Sequence, residues 1–181
     1  MAHRLLTVSH RGAIASDGVA AGRADMTIHR YRVDGGADEH LLWIEMQGDL
    51  GPAKVDTPPG ELFTFDLARD VGVAAASPPP WLYIVHTDIP ADVVDDYNAW
   101  YDQEHLPRLV TVPGVDRARR YVATGDLRPR FLTAYDLSIK DAFESPQGLV
   151  ARKTPWTERM RSLFQNTRRK MCALQTRQPW T

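Results

Sequence analysis

The sequence predicts an α+β protein: an antiparallel four-stranded sheet carrying two helices on one face, preceded by a β-rich half. Three observations lead there. Residues 81 to 176 read in the order strand, helix, strand, strand, helix, strand. The run Ala74-Ala75-Ala76-Ser77-Pro78-Pro79-Pro80 interrupts every regular pattern, because consecutive prolines lack amide donors and favour extended backbone. Four further strand-like runs lie before it, with nothing among them that reads as a long amphipathic helix.

In the second half, Trp81 to Thr87 is rich in β-branched and aromatic residues and reads as a strand. Pro90 opens a helix expected to last to Glu104 or His105, with Pro107 and Pro113-Gly114 ending it. Val115 to Thr124 is the next strand, Gly125-Asp126 begins a polar turn, and Phe131 to Leu137 is a third strand. Trp156 to Phe164 reads as the second helix through Met160, Leu163 and Phe164, and Lys170 to Thr176 as the closing strand. This is the split β-α-β order of a ferredoxin-like sheet. Its second face would expose apolar residues unless another sheet covered it, from another chain or from the first half.

The first half offers strand-like runs at His3 to His10, Met26 to Val33, Leu41 to Met46 and Leu62 to Leu67. Four strands matched to four suggest a worn-down repeat of the same unit with shortened helices; a plain β-rich appendage fits the pattern equally. Ile14 to Gly22 is too rich in Gly and Ala to assign. The expected division is therefore 1–75, a connector at 76–80, and 81–181. Residues 1 to 80 carry 7 Lys/Arg against 11 Asp/Glu, and the remainder 15 against 12.

With 181 residues, 43% hydrophobic and 25% charged, the chain has a globular composition. A net charge of −1 and no basic stripe interleaved with aromatics argue against a nucleic-acid partner. The densest basic run, Arg168-Arg169-Lys170, reads as a solvated strand entry. The single cysteine, Cys172, excludes an intrachain disulfide or a cysteine-rich metal site and makes a reducing, cytoplasmic setting the default. No stretch approaches the ~18 apolar residues of a membrane helix, and the N-terminal apolar run is too short for a signal peptide.

The segment Tyr97-Asn98-Ala99-Trp100-Tyr101-Asp102-Gln103-Glu104-His105 is the richest in chemistry. Steps of three and four put Val94, Tyr97, Tyr101 and His105 on one helix face, so His105 points inward, either as a packed residue or as a proton carrier. Asp102 and Glu104 do not share that face and are poor partners for it. His86 is the second candidate. Strand alternation puts it with Leu82 and Ile84, where it needs a hydrogen-bond partner such as Asp88 or a carbonyl. Tyr97, Tyr101, Tyr121 and Tyr135 could donate to a developing oxyanion. Arg119 or Arg120 could bind a carboxylate or enolate, one facing inward and the other outward. Trp100 and Trp156 read as core or pocket-wall residues rather than reactive groups.

Trp100-Tyr101-Asp102, Glu104-His105-Leu106-Pro107, Val112-Pro113-Gly114, Ala118-Arg119-Arg120-Tyr121 and Thr154-Pro155-Trp156-Thr157 together resemble the signature of the EthD-like branch of the dimeric α+β barrel superfamily. The resemblance spans roughly residues 81 to 176. It implies two ferredoxin-like sheets closed into a barrel, usually by homodimerisation, with a small-molecule pocket between each sheet and its helices. Relatives in that superfamily include cofactor-free polyketide cyclases, muconolactone isomerases, quinone-forming monooxygenases and haem-binding members, so the fold narrows the chemistry without naming it. No nucleophile elbow, phosphate-binding loop, dinucleotide fingerprint or His-Glu-x-x-His motif is present, and neither a metal nor another cofactor is expected.

The leading expectation is a cofactor-independent lyase, cyclase or isomerase that moves a proton on a hydrophobic carbonyl-bearing or aromatic metabolite. His105, His86 and Tyr101 are its candidate catalytic residues, and Tyr97, Trp100, Arg119, Tyr121 and Tyr135 its candidate substrate contacts. A monooxygenase, cofactor-free or haem-dependent, and a non-catalytic binding protein are the alternatives. A homodimer is expected.

Overall fold

A computed structural model describes residues 3–11, 26–47 and 60–175. The first half contributes β1 (His3–Arg11), β2 (Met26–Val33), β3 (Glu39–Gln47) and β4 (Glu61–Gly72). The second contributes β5 (Trp81–Asp88), β6 (Val115–Ala123), β7 (Phe131–Leu137) and β8 (Gln165–Leu174). All pairings are antiparallel. Ile14 to Gly22 lies outside the described residues.

Around the sheet the strands follow the order β1-β3-β2-β8-β5-β7-β6-β4, and β4 pairs with β1, so the sheet closes into a barrel. Numbered within its own half, each set of four strands has the order 4-1-3-2, the order of a ferredoxin-like sheet. The halves meet at two seams: β4 runs along β6, and β2 meets β8 over the short register Tyr31↔Leu174 to Val33↔Cys172. The closure that the resemblance assigns to two chains is made here within one.

Alternation along each strand divides the side chains between two environments. Leu82 and Ile84 of β5, Tyr121 of β6 and Leu132 of β7 enter the barrel, where they pack with Leu5, Trp43 and Phe65 of the first half. Val85, Ala118, Phe131 and Tyr135 face outward and are covered by the helices. The outer face of the first-half sheet has its own buried cluster, Leu6, Val8, Leu42, Ile44 and Met46.

The helical cover differs from the expected pair of helices. A 3-10 turn (Ala91–Val93) leads into α1 (Val94–Trp100), a π turn (Tyr101–His105) and α2 (Leu106–Leu109). Pro107 does not end the helix. In the π turn the Leu106 amide donates to the Tyr101 carbonyl, five residues back. That wider winding makes room for a proline ring that would clash with a carbonyl four residues earlier, and the chain stays helical to Leu109.

The segment ends at a turn through Gly114, whose φ of 90° and packing against Ile139 leave no place for a Cβ. Two shorter pieces, a 3-10 turn (Ala142–Glu144) and α3 (Pro146–Ala151), precede α4 (Pro155–Ser162), which covers most of the expected 156–164 helix. Strand β8 begins at Gln165 rather than Lys170, immediately after α4; Asn166 adopts a positive φ of 51° near a register shift against β5.

Candidate functional site

Between the outer face of the second-half sheet and its helices lies a cavity of about 330 Å³. The π turn and the residue before it supply one wall, Trp100, Tyr101 and His105; the sheet supplies Tyr83, Val85 and Tyr135 opposite. Phe143 and Phe164 extend the aromatic lining, and Arg152, Arg161 and Arg169 stand at its edge.

Helix α4 holds the helical wall in place. Thr154 caps α4 by accepting from the Thr157 amide at 3.0 Å, and its hydroxyl donates to Glu104 Oε1 at 2.6 Å. Trp100 Nε1 donates to Thr157 Oγ1 at 3.2 Å, and Trp156 Nε1 to Asp96 Oδ1 at 3.1 Å. Glu104 and Asp96 thereby anchor the segment from outside, and neither reaches His105.

His105 is buried and stacked on Trp100, with ring centroids 4.1 Å apart, while Tyr101 meets it edge-on at 5.3 Å. Its Nδ1 is buried and finds no hydrogen-bond partner among the described residues. Burial, reinforced by the positive charges of Arg161 and Arg152, pushes its pKa down to about 3, so the imidazole is neutral near pH 7. Burial first, and the adjacent Tyr101 phenol second, raise Tyr97 and Tyr135 well above the ordinary tyrosine value, so both remain protonated donors.

The candidate residues do not form one site. Tyr101, Tyr135, Trp100 and His105 line the cavity, but Tyr97 sits behind Tyr101, 4.9 Å away centroid to centroid, and forms no part of the wall. Of the successive arginines on β6, Arg120 rather than Arg119 is on the helix side. Its guanidinium covers the rings of Tyr97 at 4.6 Å and Tyr101 at 4.7 Å and donates to Asn98 Oδ1 at 2.6 Å.

Arg119, Tyr121 and His86 occupy the barrel interior, as the period of two requires. Arg119 is clamped between Glu45 and Asp136, and Trp43 Nε1 donates to Glu45 at 3.0 Å. His86 lies between Phe63 and Phe65, at 5.5 and 5.8 Å, with its pKa lowered to about 4 by burial and then by Lys170. Asp88 accepts from the Arg130 amide at 2.7 Å and from Asn166 Nδ2 at 2.9 Å instead. These three side chains are separated from His105 by the sheet itself.

Tyr83, Phe143, Arg152 and Arg161 carry no candidate role in the sequence reading, and Arg169 enters it only within a basic run read as a solvated strand entry. Alternation from Val85 would have put Tyr83 on the cavity side; the short 142–151 helical pieces and the early start of β8 carried no comparable signal.

No protein-family model matches the chain, and no curated protein is similar to it in sequence. Solved structures resemble it in fold. A ferredoxin-fold protein related to antibiotic biosynthesis monooxygenases from Listeria monocytogenes superposes with a TM-score of 0.65 at 8% identity, covering 97% of this chain and 95% of that one. An anthrone oxidase-like protein gives 0.63 at 12% identity, covering 97% and 92%. A heme-degrading enzyme from Listeria monocytogenes gives 0.60 at 9% identity, covering 94% and 98%. The EthD-like branch in particular finds no matching family model, whereas the wider fold is shared over almost the whole chain. The chain shares the ferredoxin-like α+β fold of these structures, with eight strands supplied by one polypeptide.

Proposed function

We propose that the cleft between the sheet and the helices is a cofactor-independent enzyme site for a small aromatic or carbonyl-bearing compound, of monooxygenase type. The observation that carries this reading is His105, a residue lining an aromatic-walled cavity, whose buried Nδ1 has no partner among the described residues. A buried polar atom without a partner costs about 1–3 kcal/mol and calls for an explanation, which a ligand donor or an abstracted proton supplies. The anthrone oxidase-like and monooxygenase-related proteins that share the fold support oxygen chemistry, and two of the motifs that resemble the EthD-like branch contribute Trp100, Tyr101 and His105 to this wall.

In this scheme His105 accepts a proton from an activated CH2 group of the substrate, leaving a carbanion delocalised onto an adjacent carbonyl or phenol oxygen. Tyr101 and Tyr135 donate hydrogen bonds to that oxygen. The carbanion passes an electron to dioxygen, and recombination forms a carbon–oxygen bond as a peroxide. Loss of water leaves a new carbonyl, so that CH2 and O2 become C=O and H2O. The haem of the heme-degrading relative does not fit: a volume of about 330 Å³ is at the small end of small-molecule pockets, and Trp100 covers one face of His105. No step is routed through iron.

A second reading, a non-catalytic binding protein, is favoured by one observation: a histidine with a pKa near 3 is a weak base until a ligand changes its surroundings. Oxygen uptake with a panel of anthrones and hydroxynaphthalenes separates the readings. The monooxygenase predicts substrate-dependent uptake that falls at least about 100-fold in His105→Gln. Full activity in that variant overturns the role of His105. Deuterium exchange into substrate without oxygen uptake points instead to a lyase or isomerase, and a raised Tm without turnover to the binding protein.

A further inference from the structure

Three arginines border the cavity, and among the described residues no Asp or Glu lines it. Arg152 donates to the Phe143 carbonyl at 2.6 Å and to the solvent-exposed Glu144 at 3.2 Å. Arg161 of α4 and Arg169 of β8 make no ion pair among the described residues. On the same strand, Arg168 is paired with Glu61 and Lys170 with Glu39, both on the other face of β8. The basic run is thus split by the pleat, and only Arg169 is turned to the cleft.

The chain as a whole is close to neutral, so this unopposed charge is local. Like charges gathered at the edge of an aromatic-walled cavity repel one another, and an anion placed between them relieves that repulsion. Consistent with such crowding, burial first and then Arg152 lower the pKa of Arg161.

We infer that the ligand of this cleft is a ring-bearing carboxylate whose anionic group meets Arg161 and Arg169 while its ring enters between Trp100, Tyr83 and Tyr135. The inference rests on the reading of the cleft as the functional site. Guanidinium groups bind carboxylates through paired, charge-assisted hydrogen bonds, and the aromatic walls suit a flat body. The cavity volume limits that body to one or two rings.

The probes are 2-naphthoate and its neutral isostere 2-naphthamide, titrated calorimetrically into the full chain, with NMR shifts of the His105 imidazole reporting where they bind. The acid is expected to bind about tenfold tighter than the amide, by an advantage that shrinks as salt is raised. In Arg161→Gln/Arg169→Gln that preference disappears while both probes still shift His105. Equal affinities in the parent chain, or a preference that survives the double substitution, overturn the carboxylate inference and leave the cleft as the site. If neither probe shifts His105, the reading of the cleft falls as well.

Discussion

The two faces of the second-half sheet bury the same kinds of residue in opposite ways. On the barrel side Arg119 is held by Glu45 and Asp136, and Trp43 and Tyr121 add their donors to Glu45. On the helix side His105 Nδ1 has no partner, and Arg161 and Arg169 no carboxylate, among the described residues. Burying charge in matched sets stabilises an interior only when the set is complete. Arg119, matched by two carboxylates although its Nε has no partner among the described residues, is read as architecture, and the side without a matching carboxylate as a place for something else. The sequence-level candidates Arg119 and Tyr121 belong to the first kind, and His86 lies on the same side of the sheet, between Phe63 and Phe65.

Removing one partner from each face gives the largest contrast. Arg119→Met leaves Asp136 buried without its cation and should lower the unfolding free energy by about 3 kcal/mol or more, whereas Arg161→Gln should change it by less than about 0.5 kcal/mol. Chemical denaturation of both variants measures this; equal losses would break the comparison.

The histidines sharpen it by pH. His86 has a folded pKa near 4 against an ordinary 6.5. Above pH 6.5 it is neutral in both states and contributes nothing. As pH falls from 6.5 to 4 the unfolded chain takes up a proton that the folded chain refuses, so stability drops by about 3 kcal/mol. His105 acts with the same sign. His86→Leu should therefore flatten part of the acid limb without altering ligand binding in the cleft, as melts across pH 4 to 7 would show; an unchanged acid limb would mean that His86 is protonated inside the barrel.

The smallest effect is expected at Arg168→Gln, one residue from Arg169 but on the other side of β8. Its half-exposed pair with Glu61 should be worth under about 1 kcal/mol, and ligand affinity should not move. A loss of affinity comparable to that of Arg169→Gln would show that general charge, not the facing of the strand, governs binding.

Much of this was legible in the chain. Period-two runs marked the β-strands, with boundaries close to those of β5, β6 and β7, because each alternates between two differently buried faces. The inward facing of Tyr101 and His105 followed from helical spacing, and the split between Arg119 and Arg120 from the pleat. The continuation of the helix beyond Pro107 was not legible, because it depends on a π turn, and a single widened turn leaves no periodicity. The 142–151 pieces were too short to register.

The sequence by itself determined most of the local geometry: where the strands and the two main helices run, and which alternate faces their side chains take, since both follow from backbone periodicity and the cost of leaving apolar groups in water. Only the tertiary structure decided what each face meets. Closing eight strands into one barrel set Arg119 between two carboxylates, His86 between two phenylalanine rings, and His105 where its Nδ1 has no partner among the described residues. Whether a buried polar group is satisfied depends on residues far away along the chain, such as Glu45 beside Arg119, and no local pattern records that encounter.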